Sequence, residues 1–241
     1  GAGTLAETIP NEHYSKSACM NIKQRLAGAS TDPYWWSTVA PGAAQPPLSE
    51  DGVCDLAIIG GGFTGLWCAL KARERYRDAR IVVLEAKRCG GAASGRNGGF
   101  CAPSISHGVS NALARWPSEA ETLVRFGAEN LNQFEQDLDA YGIEAEFERS
   151  GKLNLAATPW QAEGLKSMQA NYAKFGIETT LLEGGDLDAR INTPAYHAGL
   201  WEANYALVNP SAIIDGLRRV CLEKGIEIFE DTPVTRLKPV R

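Results

Sequence analysis

The distribution of apolar residues changes near Val53, where regular alternation of apolar and polar segments begins. The run 54–59 is mainly apolar and leads into three glycines, which indicates a buried strand of the parallel type. Apolar residues recur at helical spacing within 63–76, and a second apolar run, 81–84, ends at Glu85. The pattern therefore predicts a strand–turn–helix–strand unit with parallel strands.

A second set of elements is predicted further along the chain. Ser118 and Glu121 have the spacing of a capping box before a long amphipathic helix, which we expect to end at Gly142. Thr158 and Asn209 each precede a proline, so each is expected to start a helix with proline at its first position. The other expected features are a strand pair turned at Ser150-Gly151, helix ends near 175 and 222, and strands over 145–149, 152–156, 177–182, 198–201, 226–229 and 234–237. Together these elements predict an α/β protein with a mixed layer inserted between two parts of a parallel sheet.

The first 52 residues have a different texture. A helix over 14–28 has weak periodic support, and 29–52 carries the prolines and small residues typical of an extended surface segment. Tyr34-Trp35-Trp36 interrupts this segment with three aromatic rings. Two interpretations stay open: a clip that buries the rings against the body of the protein, or a contact surface for a partner subunit.

Composition and charge narrow the possible functions. Hydrophobic residues make up 44% and charged residues 22% of the chain, as in ordinary globular proteins. The formal net charge of -5 argues against a nucleic-acid partner, and the apolar runs are too short to span a bilayer. Six cysteines at no regular spacing are typical of reduced thiols, which favours a cytoplasmic protein.

The candidate chemistry lies at Gly60-x-Gly62-x-x-Gly65, between the first strand and the first helix. Gly60 permits a tight turn, Gly62 lets the backbone approach a pyrophosphate, and Gly65 lets the helix lie close to the strand. The helix N-terminus supplies free amides and a positive dipole for phosphate charge. Glu85 stands where a carboxylate would accept hydrogen bonds from ribose hydroxyls and repel a 2′-phosphate. We therefore predict a dinucleotide site that disfavours an NADP-type ligand.

A second glycine-rich stretch, 90–99, follows Glu85 almost at once. Simple nicotinamide dehydrogenases continue from that acid into another crossover helix. Taken together, 54–65, 84–86 and 93–99 resemble the D-amino-acid oxidase superfamily of FAD-dependent oxidoreductases, in particular its branch of sarcosine oxidase-like proteins. Further matches are Tyr34-Trp35, Val208-Asn209-Pro210 and Thr232-Pro233-Val234-Thr235, so the resemblance covers most of the chain from Tyr34 onward.

This resemblance implies FAD as a non-covalently bound cofactor. It places Gly60, Gly62, Phe63, Thr64 and Gly65 at the pyrophosphate, Glu85, Ala86 and Lys87 at the adenosine ribose, and Val234 at the adenine. It places Ser94, Gly95, Asn97, Gly98 and Gly99 along the ribityl chain and the flavin. Arg96 is either a flavin or substrate contact or a salt-bridged loop residue. Gly91 stands where related proteins often carry an aromatic residue, and no catalytic residue is assigned.

The resemblance also implies a domain arrangement. We expect a Rossmann-like FAD-binding domain, incomplete, over 51–144 and 208–241, part of an α+β substrate domain over 145–207, and an N-terminal arm and linker over 1–52. Family members are roughly twice as long, so we expect the chain to be an N-terminal fragment that is inactive alone and that self-associates or binds a second polypeptide. The implied reaction oxidises the C–N bond of a small-molecule amine or amino acid. A non-catalytic FAD-binding subunit or scaffold is the alternative.

Other chemistries have weaker support. Cys89 and Cys101 are too far apart for a redox disulfide, and they are interpreted as small buried fillers. The three histidines are isolated, so no metal site is predicted. His107 is expected to be a hydrogen-bonded structural residue or, less favoured, to face the substrate cavity.

Overall fold

The computed structural model describes residues 26–40 and 42–238. The chain divides into two compact units, 1–33 and 34–241, and the first is described by itself. Its described part is a turn in which the Ala29 amide donates to the Leu26 carbonyl at 2.9 Å. Most of the helix predicted over 14–28 lies outside the described residues, and its last three residues belong to this turn rather than to a helix.

Eight strands and six helices form the described part of the second unit, with two short 3-10 turns at Tyr34–Ser37 and Ala93–Gly95. The strands are β1 Leu56–Ile59, β2 Ile81–Leu84, β3 Phe100–Cys101, β4 Lys152–Ala156, β5 Thr179–Leu182, β6 Ala198–Glu202, β7 Ala206–Leu207 and β8 Glu227–Phe229. The helices are α1 Phe63–Arg75, α2 Val109–Arg115, α3 Ala120–Ala140, α4 Pro159–Ala173, α5 Gly184–Asp188 and α6 Pro210–Glu223. Among the described helices, none is long and apolar enough to cross a bilayer.

The parallel sheet positions the candidate site. Its strand order is β1-β2-β8, and both strand pairs are parallel, which confirms the predicted βαβ unit and the Rossmann-like class. Helices α1 and α6 pack against each other over the buried side chains Leu66, Leu70 and Leu217. Because all three strands run in one direction, Glu85 and Glu230, each the first residue after its strand, reach the same edge as the glycine turn after β1.

An antiparallel sheet of order β4-β6-β5 forms the inserted layer. Helix α4 covers it, and Ala156, Leu165 and Leu200 form its buried centre. The two-residue strands β3 and β7 pair next to the end of the 90–99 stretch. The mixed layer between two parts of a parallel sheet is therefore present as predicted.

Three local predictions were wrong. The segment 145–149 does not pair with β4, because Glu146 adopts a left-handed φ of 52° that interrupts the extended backbone, and Glu148 instead bridges to Leu207. The capping box is not formed, because the Ser118 hydroxyl bonds the Glu119 carboxylate at 2.8 Å and α3 begins at Ala120. No strand is present over 234–237, because the described residues offer no neighbouring strand to complete its hydrogen bonds.

Both predicted helix starts at prolines are confirmed. Thr158 is the N-cap of α4 and Asn209 is the N-cap of α6. The Asn209 side-chain oxygen accepts hydrogen bonds from the amides of Ser211 and Ala212 at 3.1 and 3.2 Å. These bonds satisfy two amides that a helix start leaves without intrahelical partners.

Candidate cofactor site

The glycine turn brings α1 close to the sheet. Gly60 has a φ of 102°, which favours glycine, and its amide donates to the Leu84 carbonyl at 2.9 Å. A β-carbon at Gly65 would overlap the Gly60 carbonyl oxygen. The first turn of α1 therefore lies directly over the end of β1, as the motif predicts.

The N-terminus of α1 faces the second glycine-rich stretch. Gly62 is the N-cap residue, and no side chain caps the helix from that position. A β-carbon at Gly62 would stand 2.8 Å from the hydroxyl oxygen of Ser94, which accepts a hydrogen bond from the Phe63 amide at 3.0 Å. A glycine without a side chain, a helix N-terminus and a hydroxyl thus meet where a phosphate group would fit.

Gly62, the first turn of α1 and Ser94 together form a cradle, and Glu85 forms its acidic side. Its carboxylate accepts hydrogen bonds from the Gly61 amide at 2.7 Å and from the Lys87 amide at 2.9 Å. Its main chain is bonded to the neighbouring segment, since the Thr232 amide donates to the Glu85 carbonyl at 2.8 Å. The carboxylate is therefore fixed at the mouth of the turn, and an anionic group placed directly against it would be repelled.

Residues 88–99, here called the flavin loop, fold back over the glycine turn. The Gly90 amide donates to the Gly61 carbonyl at 3.0 Å, and the Gly95 amide donates to the Gly90 carbonyl at 3.0 Å. The Asn97 side chain closes the rest of the loop, because it donates to the Ser94 carbonyl at 2.7 Å and accepts from the Gly99 amide at 2.9 Å. The two glycine-rich segments predicted from the sequence therefore form one surface.

The outer face of the flavin loop contacts the aromatic turn Tyr34–Ser37. The Trp35 indole donates to the Asn97 carbonyl at 2.9 Å, and the Arg96 guanidinium lies 4.4 Å from the centre of the Trp36 ring. Arg96 also donates to the Gly91 carbonyl at 2.9 Å. The clip interpretation holds for the two half-buried tryptophans, but it was wrong for Tyr34, whose side chain is 74% exposed.

The other predicted site residues surround this surface less closely. Thr64, Ala86 and Lys87 are exposed, Gly98 lies beside the Phe100 ring, and the Val208 amide donates to the Gly99 carbonyl at 2.9 Å. Val234 is half-buried in an irregular segment, two residues beyond Thr232.

Sequence analysis missed Glu230. This carboxylate follows β8 and is fully buried, and it accepts hydrogen bonds from the Cys89 and Gln45 amides, both at 2.8 Å. Arg88 and Arg218 lie within 3.2 and 3.8 Å of its oxygens. The signal was present, because Glu230 follows its strand as closely as Glu85 follows β2.

Cysteine and histidine chemistry has no support in the site. Burial raises the pKa of Cys89 to about 12 and that of Cys101 to about 11, so both thiols stay protonated at neutral pH. Both are half-buried and pack against the core, rather than being fully buried as predicted. His107 is exposed, which argues against the structural role favoured from the sequence. Within the described ranges, no group of three or more histidine, cysteine or acidic side chains is placed to hold a metal ion.

Comparison with known families decides which dinucleotide fits this cradle. Residues 55–241 match the DAO family of FAD-dependent oxidoreductases. The chain belongs to this family. Its cofactor is FAD, and the observed cradle fits that group, since a glycine without a side chain meets the N-terminus of α1 and the Ser94 hydroxyl there.

Several relatives support the assignment. The chain is 28% identical to the probable oxidoreductase OrdL of Haemophilus influenzae. The aligned region is 78% of this chain and 44% of that protein. It is 27% identical to gamma-glutamylputrescine oxidoreductase of Escherichia coli, and 86% of the chain covers 49% of that protein. The structure of glycine oxidase from Bacillus cereus superposes with a TM-score of 0.60 at 19% identity, covering 78% of this chain and 49% of the oxidase. The chain thus spans about half the length of the curated relatives it matches.

Proposed function

We propose that this chain forms the FAD-binding part of a flavoenzyme that oxidises the C–N bond of a small-molecule amine or amino acid. The cradle at Gly62, where the two glycine-rich segments meet, is the observation that carries the FAD-binding part of the proposal. The similarity to gamma-glutamylputrescine oxidoreductase supports the substrate class. FAD, when bound, accepts a hydride from the carbon beside the nitrogen, and water hydrolyses the resulting imine.

The proposed contacts follow the order of the cofactor. The turn 60–65 holds the pyrophosphate, because the amides at the start of α1 and the helix dipole offset its charge. Glu85, Ala86 and Lys87 hold the ribose, with Val234 at the adenine. Residues 94–99, Arg96 included, line the ribityl chain and the flavin. The carboxylate of Glu85 supports the preference against a 2′-phosphate, since a second negative group there would be repelled.

We propose the domain division given by the sequence: a FAD-binding domain over 51–144 and 208–241, part of a substrate domain over 145–207, and an arm and linker over 1–52. The parallel sheet β1-β2-β8 and the antiparallel sheet β4-β6-β5 support the two domains.

We also propose a cytoplasmic location, supported by five free thiols among the described residues. Self-association is proposed as well, because β1 carries Ile59 with 54% of its side chain exposed at one edge of the parallel sheet.

A flavin-content measurement tests the cofactor site. Gly62→Val places a side chain against Ser94 and in the phosphate path, so purified protein should contain no FAD, whereas Gly185→Val, in α5 with no atom near its β-carbon position, should retain it. Equal flavin content in the two variants would contradict the assignment.

An anaerobic substrate screen on the full-length protein tests the reaction. Amines and amino acids should bleach the flavin absorbance, and hydrogen peroxide release in air would then separate oxidases from dehydrogenases. Bleaching by 2-hydroxy acids but not by amines would show that the substrate class is wrong. FAD that is bound but never reduced by any of these substrates would favour the non-catalytic subunit.

A further inference from the structure

The two carboxylate oxygens of Glu230 hold two separate segments of the chain. Oε1 accepts a hydrogen bond from the Cys89 amide in the flavin loop at 2.8 Å. Oε2 accepts one from the Gln45 amide at 2.8 Å. Because the Glu230 side chain is only 1% exposed, water does not compete for either oxygen.

The segment 42–48, here called the strap, is held largely by side chains of the FAD-binding domain. The Gly42 amide donates to Asp215 at 3.2 Å, and the Leu48 amide donates to the Thr232 hydroxyl at 2.9 Å. Arg218 donates to the Ala43 carbonyl. Among the residues that the structure describes, no helix or strand pairs with the strap, so its docking depends on single hydrogen bonds, that to Glu230 among them.

Apolar packing contributes little beneath the strap. Every strap residue except Gln45 is exposed. The strap therefore gains little dispersion energy from the body of the protein. A cavity of about 300 Å³ adjoins its first residue, Gly42, and reaches Ile214 and Glu230. The hydrogen bond from Gln45 to Glu230 is therefore one of a small number of contacts that fix the strap.

The Glu230 carboxylate also holds the first residues of the flavin loop in place. Cys89 precedes Gly90, whose amide binds the glycine turn, and the loop continues from there to Ser94 above α1. Arg88 strengthens the link, because its guanidinium lies 3.2 Å from Glu230 and also donates to the Gly42 carbonyl at 3.2 Å. Removing the carboxylate would also leave the buried guanidinium of Arg218, 3.8 Å away, without this acidic partner.

We propose that Glu230 is a positioning residue that couples docking of the strap to the order of the flavin loop, and so sets the affinity for FAD. The inferred effect on FAD affinity rests on the proposed cofactor contacts of 94–99. The coupling between the strap and the flavin loop concerns the protein without FAD. A change made only in the strap is therefore expected to loosen the flavin loop.

Hydrogen exchange in the cofactor-free chain tests the coupling. Gln45→Pro removes the amide that Glu230 binds and leaves the carboxylate in place, while Ala44→Pro introduces the same ring one residue earlier, at an amide without a hydrogen bond in the described structure. In Gln45→Pro, peptides covering 42–48 and 88–99 should both exchange at least about fivefold faster, with 152–156 unchanged. Faster exchange in the strap alone, or the same loop response in Ala44→Pro, would overturn the coupling.

FAD titration by flavin fluorescence gives the second readout. Glu230→Gln should raise the FAD dissociation constant about tenfold or more, and Gln45→Pro about threefold or more. Glu227→Gln is the matched control, because this β8 carboxylate pairs with Arg80 at the exposed opposite end of the strand, and it should change affinity less than twofold. Tight FAD binding by Gln45→Pro would overturn the inference. Failure of the unmodified chain to bind FAD would instead count against the proposed cofactor contacts, and exchange alone would then decide the coupling.

Discussion

The hydroxyl oxygen of Ser94 accepts a hydrogen bond from the amide of Phe63 at 3.0 Å. This bond joins the flavin loop to the first turn of α1, although the second strand of the βαβ unit lies between them in the sequence. It also places an adjustable hydroxyl beside one of the amides that a phosphate group would use. The contact explains why a short polar residue suits position 94.

Ser94→Ala should weaken FAD binding about five- to tenfold, because the variant loses a hydrogen-bonding group at the helix N-terminus and leaves the Phe63 amide with one acceptor fewer. Fluorescence titration with FAD measures the change. Ser167→Ala is a suitable control, since this exposed hydroxyl donates to the Glu163 carbonyl within its own helix α4, far in sequence from the cofactor motif. Equal affinities in the two variants would show that Ser94 does not act on the cofactor.

Two helical glycines should respond in opposite ways to alanine. At Gly65 the new methyl group meets the Gly60 carbonyl oxygen, so Gly65→Ala should lower the free energy of unfolding by about 2 kcal/mol or more and abolish FAD uptake. At Gly164, in α4, no atom lies within contact distance, so Gly164→Ala should raise the free energy of unfolding by about 0.5–1 kcal/mol. Urea denaturation of both variants checks the pair, and destabilisation of equal size at the two positions would contradict the close helix–strand contact.

Glu202 makes stability depend on pH. Burial raises the pKa of its carboxyl above 4.5, although Lys152 and the hydrogen bond from Asn154 partly oppose the shift. The folded protein therefore holds a proton that the unfolded chain releases, and the free energy of unfolding should fall as pH rises from about 4.5 through the folded-state pKa. Glu202→Gln removes this contribution, so its urea midpoints between pH 4.5 and 7 should decline less than those of the unmodified protein. An equal decline of the urea midpoint with pH in the variant and the unmodified protein would contradict the prediction.

Thiol labelling should distinguish Cys89 from Cys68. Cys68 is exposed on α1, whereas burial, followed by the charge of Glu230, raises the pKa of Cys89 to about 12. At pH 8 a thiol with that pKa is thiolate in roughly one molecule in ten thousand. Peptide mass spectrometry after brief iodoacetamide treatment should find Cys68 alkylated and Cys89 intact. Unfolding in urea should expose both, and rapid native labelling of Cys89 would mean that the flavin loop opens readily.

The local sequence pattern was sufficient to predict the cofactor motif, but not to predict the residues that hold the motif in place. Gly60, Gly65 and Glu85 could be placed from sequence because strand ends and helix starts fix their neighbours within a few residues. Glu230 was missed because its partners, Gln45 and Cys89, are remote in sequence, and a single acidic residue after a strand does not reveal what it contacts. Residues 234–237 were assigned to a strand for a related reason: alternation predicts a strand, but only a neighbouring strand allows it to form.

The parallel sheet has a consequence for how the chain is made. Strand β2 pairs with β8, yet the entire antiparallel layer is synthesised between them. A ribosome therefore releases the glycine turn and α1 long before β8 and α6 can cover their apolar faces, and such long-range pairing slows folding. During translation, the side chains of Leu66 and Leu70 are expected to remain exposed, and accessible to chaperones, until α6 has been synthesised. Synthesis rate across 120–207, rather than the sequence of the cofactor motif itself, is then expected to limit the yield of folded protein.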